Sequence, residues 1–188
     1  MTQRADDVIW AWRHPRPERV EGYGIGRTDA AVDPRRARRL ARRIQRVARA
    51  NHLSHEIWTS PLHRCADVGR WLRRWGWVHR IDAALIEMDF GAWDGKPWSA
   101  IARQEMEAWN QDFSGYAPGG GESLTAVLVR AAGWRGAGVK LVVAHAGWMR
   151  ARRWNETAPA PPDTAAAFPA GPAYGVLWKL QGTAPAQS

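Results

Sequence analysis

Two histidines in this chain each follow an apolar run. His14 comes after Val8-Ile9-Trp10-Ala11-Trp12-Arg13, and His145 comes after Lys140-Leu141-Val142-Val143-Ala144. An imidazole with an ordinary pKa near ~6.5 is largely neutral at pH 7, so it can act as nucleophile, base or hydrogen-bond donor. Arg13, beside the first histidine, and Arg64, just after Ser60-Pro61, bring planar guanidinium forks suited to phosphate. Glu87 and Asp89 are carboxylates placed early in a segment rich in glycine and aromatics, and a carboxyl group can carry a proton to or from a reacting oxygen. Read singly, each has an everyday alternative: Arg13 as a surface charge, His14 as a loop histidine, Glu87 and Asp89 as solvated carboxylates.

The elements that would position these groups can be read from hydrophobic patterning. Residues 8–12 form a continuous apolar run with β-branched and aromatic members, the pattern of a strand buried on both faces, and Pro15 stops it. Ligands of open α/β sheets bind at the carboxyl ends of strands, which is where Arg13 and His14 fall. Residues 16–29 form a loop with Gly22, Gly24 and Gly26, closed by Gly26-Arg27-Thr28-Asp29. Its glycines allow close approach to a ligand or simply serve turns. Asp33-Pro34 supplies an N-cap and a first-turn proline for a helix whose buried stripe is Ala37, Leu40, Ala41, Ile44, Val47 and Ala48. Glu56–Thr59 reads as a second strand. Ser60-Pro61 repeats the N-cap and proline pattern, for a helix through Leu62, Cys65, Val68 and Leu72. Arg64 then lies in the first turn, where a cation is disfavoured by about 0.3–1 kcal/mol unless an anion or a carboxylate offsets it.

Residues 81–95 read as an ordered loop. Pro97 and Ser99 precede a helix with Ile101, Met106 and Trp109 inward, and Gly119-Gly120-Gly121-Glu122-Ser123 leads into another helix with Leu124, Val127 and Leu128. No Gly-Lys-Ser/Thr follows those glycines, so they are not a nucleotide-binding P-loop. Gly133, Gly136 and Gly138 break that helix early. Lys140–Ala144 is a third buried strand, followed by a helix with Trp148, Met149 and Trp154, and residues 174–180 form a last strand.

The totals set bounds on class. At 188 residues the chain can bury one sizeable core, and residues 1–188 read as a single domain. Cys65 is the only cysteine, so no intrachain disulfide can form. The polar first seven residues lead to a short apolar run without a small-residue cleavage pattern, and no run of about eighteen apolar residues occurs. These features point to the cytoplasm and to no membrane partner. The net charge of +9, carried by 27 Lys and Arg that are nearly all arginine, suggests an anionic partner. Arg35, Arg36, Arg38, Arg39, Arg42, Arg43, Arg46 and Arg49 crowd the first helix. No aromatic residues interleave them to stack on bases, so a solvated face is the better reading and nucleic acid is not expected as a partner.

Taken in order, the motifs resemble the histidine phosphatase superfamily, the phosphoglycerate mutase-like fold. The matching segments are Arg13-His14, Ser60-Pro61-Leu62-His63-Arg64-Cys65-Ala66, Leu85-Ile86-Glu87 with Phe90-Gly91 and Trp93-Asp94-Gly95, Gly120-Gly121-Glu122-Ser123, and His145-Ala146-Gly147. They span residues 8–150. Gly26-Arg27-Thr28-Asp29 and the Phe-Gly-Ala-Trp-Asp-Gly loop look most like the alpha-ribazole phosphatase branch of cobalamin nucleotide-loop assembly. The resemblance implies a three-layer α/β/α sandwich with a mostly parallel central sheet. It also implies a phosphomonoesterase that needs no metal and no cofactor and acts on a small phosphorylated substrate. His14 would be the nucleophile, Arg13 and Arg64 the phosphate clamp, and His145 a donor to a phosphoryl oxygen. Glu87 would give a proton to the leaving alcohol and take one from water. Gly26 and Arg27 would face the substrate. The expected substrate is alpha-ribazole 5'-phosphate. A sugar phosphate or phosphoglycerate, handled by a phosphatase or a mutase, is the alternative, and a non-catalytic nucleic-acid-binding protein is a more distant one. His52, His55, His63 and His79 read as surface or packing residues, and the oligomeric state is open. Pro15 stands where the family usually has glycine, and proline brings no backbone N–H and favours an extended His14.

Overall fold

A strand with apolar side chains on both sides needs a sheet covered on both faces, and the strand Val8–Arg13 (β1) has one. In the computed structural model, which describes residues 8–18, 20–135, 140–158 and 160–182, β1 lies inside a five-stranded sheet. The other strands are Glu56–Thr59 (β2), Val78–Ile81 (β3), Lys140–Ala144 (β4) and Leu177–Gln181 (β5). Their spatial order is β3-β2-β4-β1-β5. The pairs β1–β4, β2–β4 and β2–β3 are parallel, and β5 runs antiparallel along the β1 edge.

The alternating side chains of β1 divide the core. Trp10 and Trp12 point to one face, where they pack with Ile57, Leu141 and Val143 under helix α1 (Pro34–Ala50) and helix α2 (His63–Arg74). Ile9 and Ala11 point to the other, with Val142, Ala144 and Leu180, under helix α4 (Leu124–Gly133) and helix α5 (Ala146–Thr157). The result is the expected three-layer α/β/α arrangement around a mostly parallel sheet. Helix α3 (Arg103–Gln111) buries none of its residues fully. Ile101 is buried just ahead of it, and Trp109 stacks on Trp98 and Phe113. Among the described residues no helix is long and apolar enough to cross a membrane.

Local chemistry accounts for most element ends. The Asp33 carboxylate accepts the Arg35 N–H at 2.8 Å and Pro34 opens α1. Three expectations need correction. Ser60 is not the N-cap of α2. That helix begins at His63 with Leu62 as cap, because Ser60, just past the end of β2, is still tied to the neighbouring strand, its N–H donating to Val143 O at 3.3 Å. The edge strand β3 is an addition to the expected strands, because its four residues, Val78-His79-Arg80-Ile81, carry no apolar alternation. The last strand is Leu177–Gln181, shorter than residues 174–180 suggested at its start, because the backbone turns at Gly175 with φ of 71°. Residues 1–7, and Gly136 and Gly138, lie outside the described residues.

Helix α4 ends at Gly133, and the buried Arg152 of α5 fills the place of a longer helix. Its Nη1 donates to Ala131 O at 2.7 Å and Trp134 O at 3.1 Å, and its Nε and Nη2 donate to Gln181 O at 3.1 and 2.9 Å. One guanidinium therefore satisfies the end of α4 and the end of β5, and a cation suits a helix C-terminus. Arg152→Leu would strip several buried carbonyls of their donor, so it is expected to lower unfolding free energy by about 2–4 kcal/mol in urea titration. A loss below about 0.5 kcal/mol would contradict this account.

Candidate active site

The parallel register of β1 and β4 pairs Arg13 with Ala144. The next residue on each strand is a histidine, so His14 and His145 leave the sheet side by side. The His14 N–H donates to Ala144 O at 3.0 Å, and the two ring centroids are 5.0 Å apart. The neighbouring strand β2 pairs Thr59 with Val143, which brings Ser60 to the same edge. All three side chains are buried, His14 at 5% exposure and Ser60 and His145 at 0%.

His14 Nδ1 lies 2.8 Å from the carbonyl of Pro15. A carbonyl only accepts, so Nδ1 carries the proton and Nε2 keeps a free lone pair. Pro15 therefore serves through its oxygen, and its missing N–H costs this contact nothing. Burial, and then the charge of Arg64, push the His14 pKa well below its ordinary value, opposed by the Pro15 bond. Burial and Arg64 push His145 the same way. Both rings are therefore neutral near pH 7.

Arg64 sits in the first turn of α2 at 1% exposure. Its Nε donates to His145 Nδ1 at 3.2 Å and its Nη1 to Thr28 O at 2.6 Å, while Nη2 donates to Gly26 O. His145 Nε2 then faces Ser60 Oγ at 2.8 Å. Arg13 is also partly buried. Its Nη1 donates to Pro172 O at 2.8 Å, its Cζ lies 3.8 Å from the centre of the Tyr174 ring, and its Nε is buried without a partner. Among the described residues neither Arg13 nor Arg64 has a carboxylate ion pair. One buried and one half-buried guanidinium, neither ion-paired to a carboxylate among the described residues, beside two neutral imidazoles make a strong site for an anion.

Glu87 is 8% exposed, and its carboxylate accepts from Met88 N at 3.0 Å and from Gly147 N at 3.1 Å. Gly147 is in the first turn of α5, so the carboxylate sits at that helix N-terminus. A Cβ at Gly147 would collide with Glu87 Oε1, so any other residue there would push the carboxylate out of this position. The backbone ahead of Glu87 is held in turn by Arg130, which donates to Ile86 O at 2.7 Å and grips Glu122 with two bonds of 3.0 and 2.8 Å. The Glu122 of the glycine-rich motif thus acts on Glu87 at one remove.

Arg13, His14, Arg64, Glu87 and His145 come together. Gly26 and Arg27 occupy supporting positions. Gly26 gives its carbonyl to Arg64, and a Cβ there would collide with Met88 O. Arg27 is ion-paired to Asp89 at 3.2 Å and lies 3.9 Å from Glu122. The Asp94 carboxylate accepts from the N–H groups of Gly26, Arg27 and Thr28. The two segments that most resemble the alpha-ribazole branch therefore pack on each other and hold Arg64. Of the other histidines, His55 stacks on Trp77, His63 lies on the surface near Asp29, and His52 is exposed. His79 bonds Thr59 Oγ1 and is pushed down to about 4 by burial and then by Arg73 and Arg70.

Sequence reasoning missed Ser60 as a partner of His145, Tyr174 as the ring under Arg13, and Arg130 as the brace of the Glu87 loop. Ser60-Pro61 carries a competing helix-cap signal. Tyr174 and Arg130 are placed by contacts far apart in the chain and leave no local signal.

A family model described as histidine phosphatase superfamily (branch 1) matches residues 9–171. Among solved structures, a mycobacterial glucosyl-3-phosphoglycerate phosphatase is 24% identical, with 94% of this chain and 91% of that chain covered at a TM-score of 0.72. A protein from Thermus thermophilus is 27% identical, with 78% and 82% covered at a TM-score of 0.59. Bacillus stearothermophilus YhfR is 21% identical, with 92% and 89% covered at a TM-score of 0.70. No curated protein matches the chain.

Two outcomes follow from this geometry. His14, His79 and His145 all have native pKa values below the ~6.5 of an unfolded histidine. The unfolded chain therefore binds more protons below about pH 6.5, and stability present above that pH is lost as pH falls. Melting temperature is expected to drop from pH 7 to pH 5, and a flat profile would contradict the burial argument. Gly147→Ala favours the helix by propensity yet collides with Glu87. It should keep or raise melting temperature while lowering kcat by roughly 10²-fold or more, and unchanged kcat would show that Glu87 does not need this seat.

Proposed function

The chain belongs to the histidine phosphatase superfamily, and from that premise we propose that it is a metal-independent phosphomonoesterase working through a phosphohistidine at His14. The observation that carries the reading is the pair of guanidiniums, Arg64 buried and Arg13 half-buried, without carboxylate ion pairs among the described residues, beside an imidazole whose Nε2 is free. The Nε2 lone pair attacks phosphorus, forming the P–N bond as the P–O bond to the leaving group breaks. Arg13 and Arg64 take up the charge on the phosphoryl oxygens, a duty that magnesium performs in many phosphoryl transfers. Glu87 gives its proton to the departing alkoxide. A water then attacks the phosphohistidine, Glu87 takes its proton, the P–N bond breaks, and phosphate leaves. The neutral state of His14 suits the first step. Because His145 Nδ1 accepts from Arg64, its Nε2 carries the proton that now faces Ser60 Oγ and would be donated to a phosphoryl oxygen.

For the substrate, alpha-ribazole 5'-phosphate rests on Gly26-Arg27-Thr28-Asp29 and the Phe90 to Gly95 loop. Their contacts orient Arg64, so they speak for the phosphate site more than for the leaving group. A sugar phosphate is the second reading, favoured by the fold shared with the mycobacterial glucosyl-3-phosphoglycerate phosphatase. A panel of phosphomonoesters assayed in EDTA tests the proposal. Wild type is expected to hydrolyse at least one ester, and His14→Ala to lose at least about 10³-fold, as removal of a nucleophile does. Acid-labile, base-stable phosphoenzyme should be trapped on wild type only. Full activity in His14→Ala would sink the mechanism.

A further inference from the structure

Helix α1 carries five of its arginines on about one third of its circumference. Arg36, Arg39, Arg43 and Arg46 recur at i, i+3, i+7 and i+10, and Arg42 stands beside them. All five are exposed, and the helix has no acidic residue. Among the described residues none of the five has a carboxylate ion pair, and Arg36 donates only to the carbonyl of Arg16. Elsewhere on this surface arginines do find carboxylates, as in Arg70–Asp67, Arg80–Glu56 and Arg103–Glu107. The α1 face therefore concentrates repulsive charge where the chain supplies no relief.

This face is also concave. The five arginines form one wall of a groove of about 890 Å³ whose other wall is Pro15, Arg16, Tyr174 and Gly175. Pro15 is the residue whose carbonyl holds His14, and the Tyr174 ring lies 5.5 Å from the His14 ring and carries Arg13 on its face. The groove thus starts at the wall of the phosphate site and runs away from it along α1. Its volume is that of a small-molecule site. Its one aromatic ring is covered by Arg13, which leaves no platform on which bases could stack.

We propose that this groove is an oligoanion subsite, so that the preferred substrate carries further phosphate groups beyond the one transferred to His14. The ligand is a multiply phosphorylated small molecule or a short oligophosphate, gripped by guanidinium forks along α1. The inference rests on the proposed phosphatase reading for its position, and its test reads binding rather than turnover, so either can fail alone.

Calorimetric titration of the full-length His14→Ala protein with tripolyphosphate and with orthophosphate provides that test. Tripolyphosphate is expected to bind at least roughly tenfold more tightly, the worth of one charge-assisted contact. That advantage should shrink as salt is raised. Adding Arg39→Gln, Arg42→Gln, Arg43→Gln and Arg46→Gln together should remove it, with the fold followed by circular dichroism. The pair Arg42→Gln and Arg46→Gln alone should remove about half of it on a logarithmic scale, and this pair stands in if the fourfold variant does not fold. Equal affinity for the two anions, or a preference that survives these substitutions, would overturn the proposal. So would tighter binding of a single-stranded RNA lacking terminal phosphates, lost in the same variants, which would assign the face to nucleic acid.

Discussion

The hydrogen bond from the His14 N–H to Ala144 O is the contact on which the rest of the site depends. It continues the parallel ladder of β1 and β4 by one step past Arg13 and Ala144. A parallel register with those partners sets His14 beside His145. A slip of one residue would turn both side chains to opposite faces. Because Trp10 and Trp12 fill one buried face and Ile9 and Ala11 the other, such a slip would overpack one face and leave cavities in the other. The core therefore enforces the register, and the register enforces the histidine pair.

Burial then sets the electrostatics. Removing the two imidazoles from water makes their charged forms unfavourable, and the guanidinium of Arg64 adds to that. Arg64 itself is kept in place by neutral carbonyls of Gly26 and Thr28 and by His145, not by a carboxylate. A carboxylate there would have satisfied the charge and weakened the site for any other anion. The same pattern holds at Arg13, whose cation lies on the Tyr174 ring while one donor stays unused. Cys65, 3.4 Å from His145 Nε2, is pushed up by burial and stays a protonated packing group.

Two supporting shells hold the polar groups. The Asp94 carboxylate gathers three N–H groups of the loop that carries the Arg64 acceptors, and Gly26 admits the close approach this requires. Arg130 and Glu122 brace the backbone of Ile86, and Gly147 leaves space for the Glu87 carboxylate. Both glycines are required by a neighbour's atoms rather than by backbone conformation. The arginine face of α1 lies outside both shells, and its groove meets the site at Pro15 and Tyr174.

The residues gathered at the centre were legible in the linear chain, the histidines from local patterning and Arg64 and Glu87 from motifs that resemble the family's. The apolar runs ending at His14 and His145 mark strand ends, and Asp33-Pro34 marks a helix start. Arg64 and Glu87 lie in short motifs. The three-layer fold was implied by the family resemblance, and strands that are apolar on both faces agreed with it. The edge strand β3, the true start of α2 and the partners Ser60, Tyr174 and Arg130 were not legible. They depend on residues far apart in the chain, 85 positions in the case of Ser60 and His145, and only packing brings such residues together. Sequence by itself determined which side chains could do chemistry and which faces must be buried, since both depend on residue type and local period. Tertiary structure alone decided which atoms are free. The Pro15 carbonyl leaves His14 Nε2 open, Arg64 is satisfied by carbonyls rather than a carboxylate, and the α1 arginines face a groove, because burial and hydrogen bonding are settled only when distant segments meet.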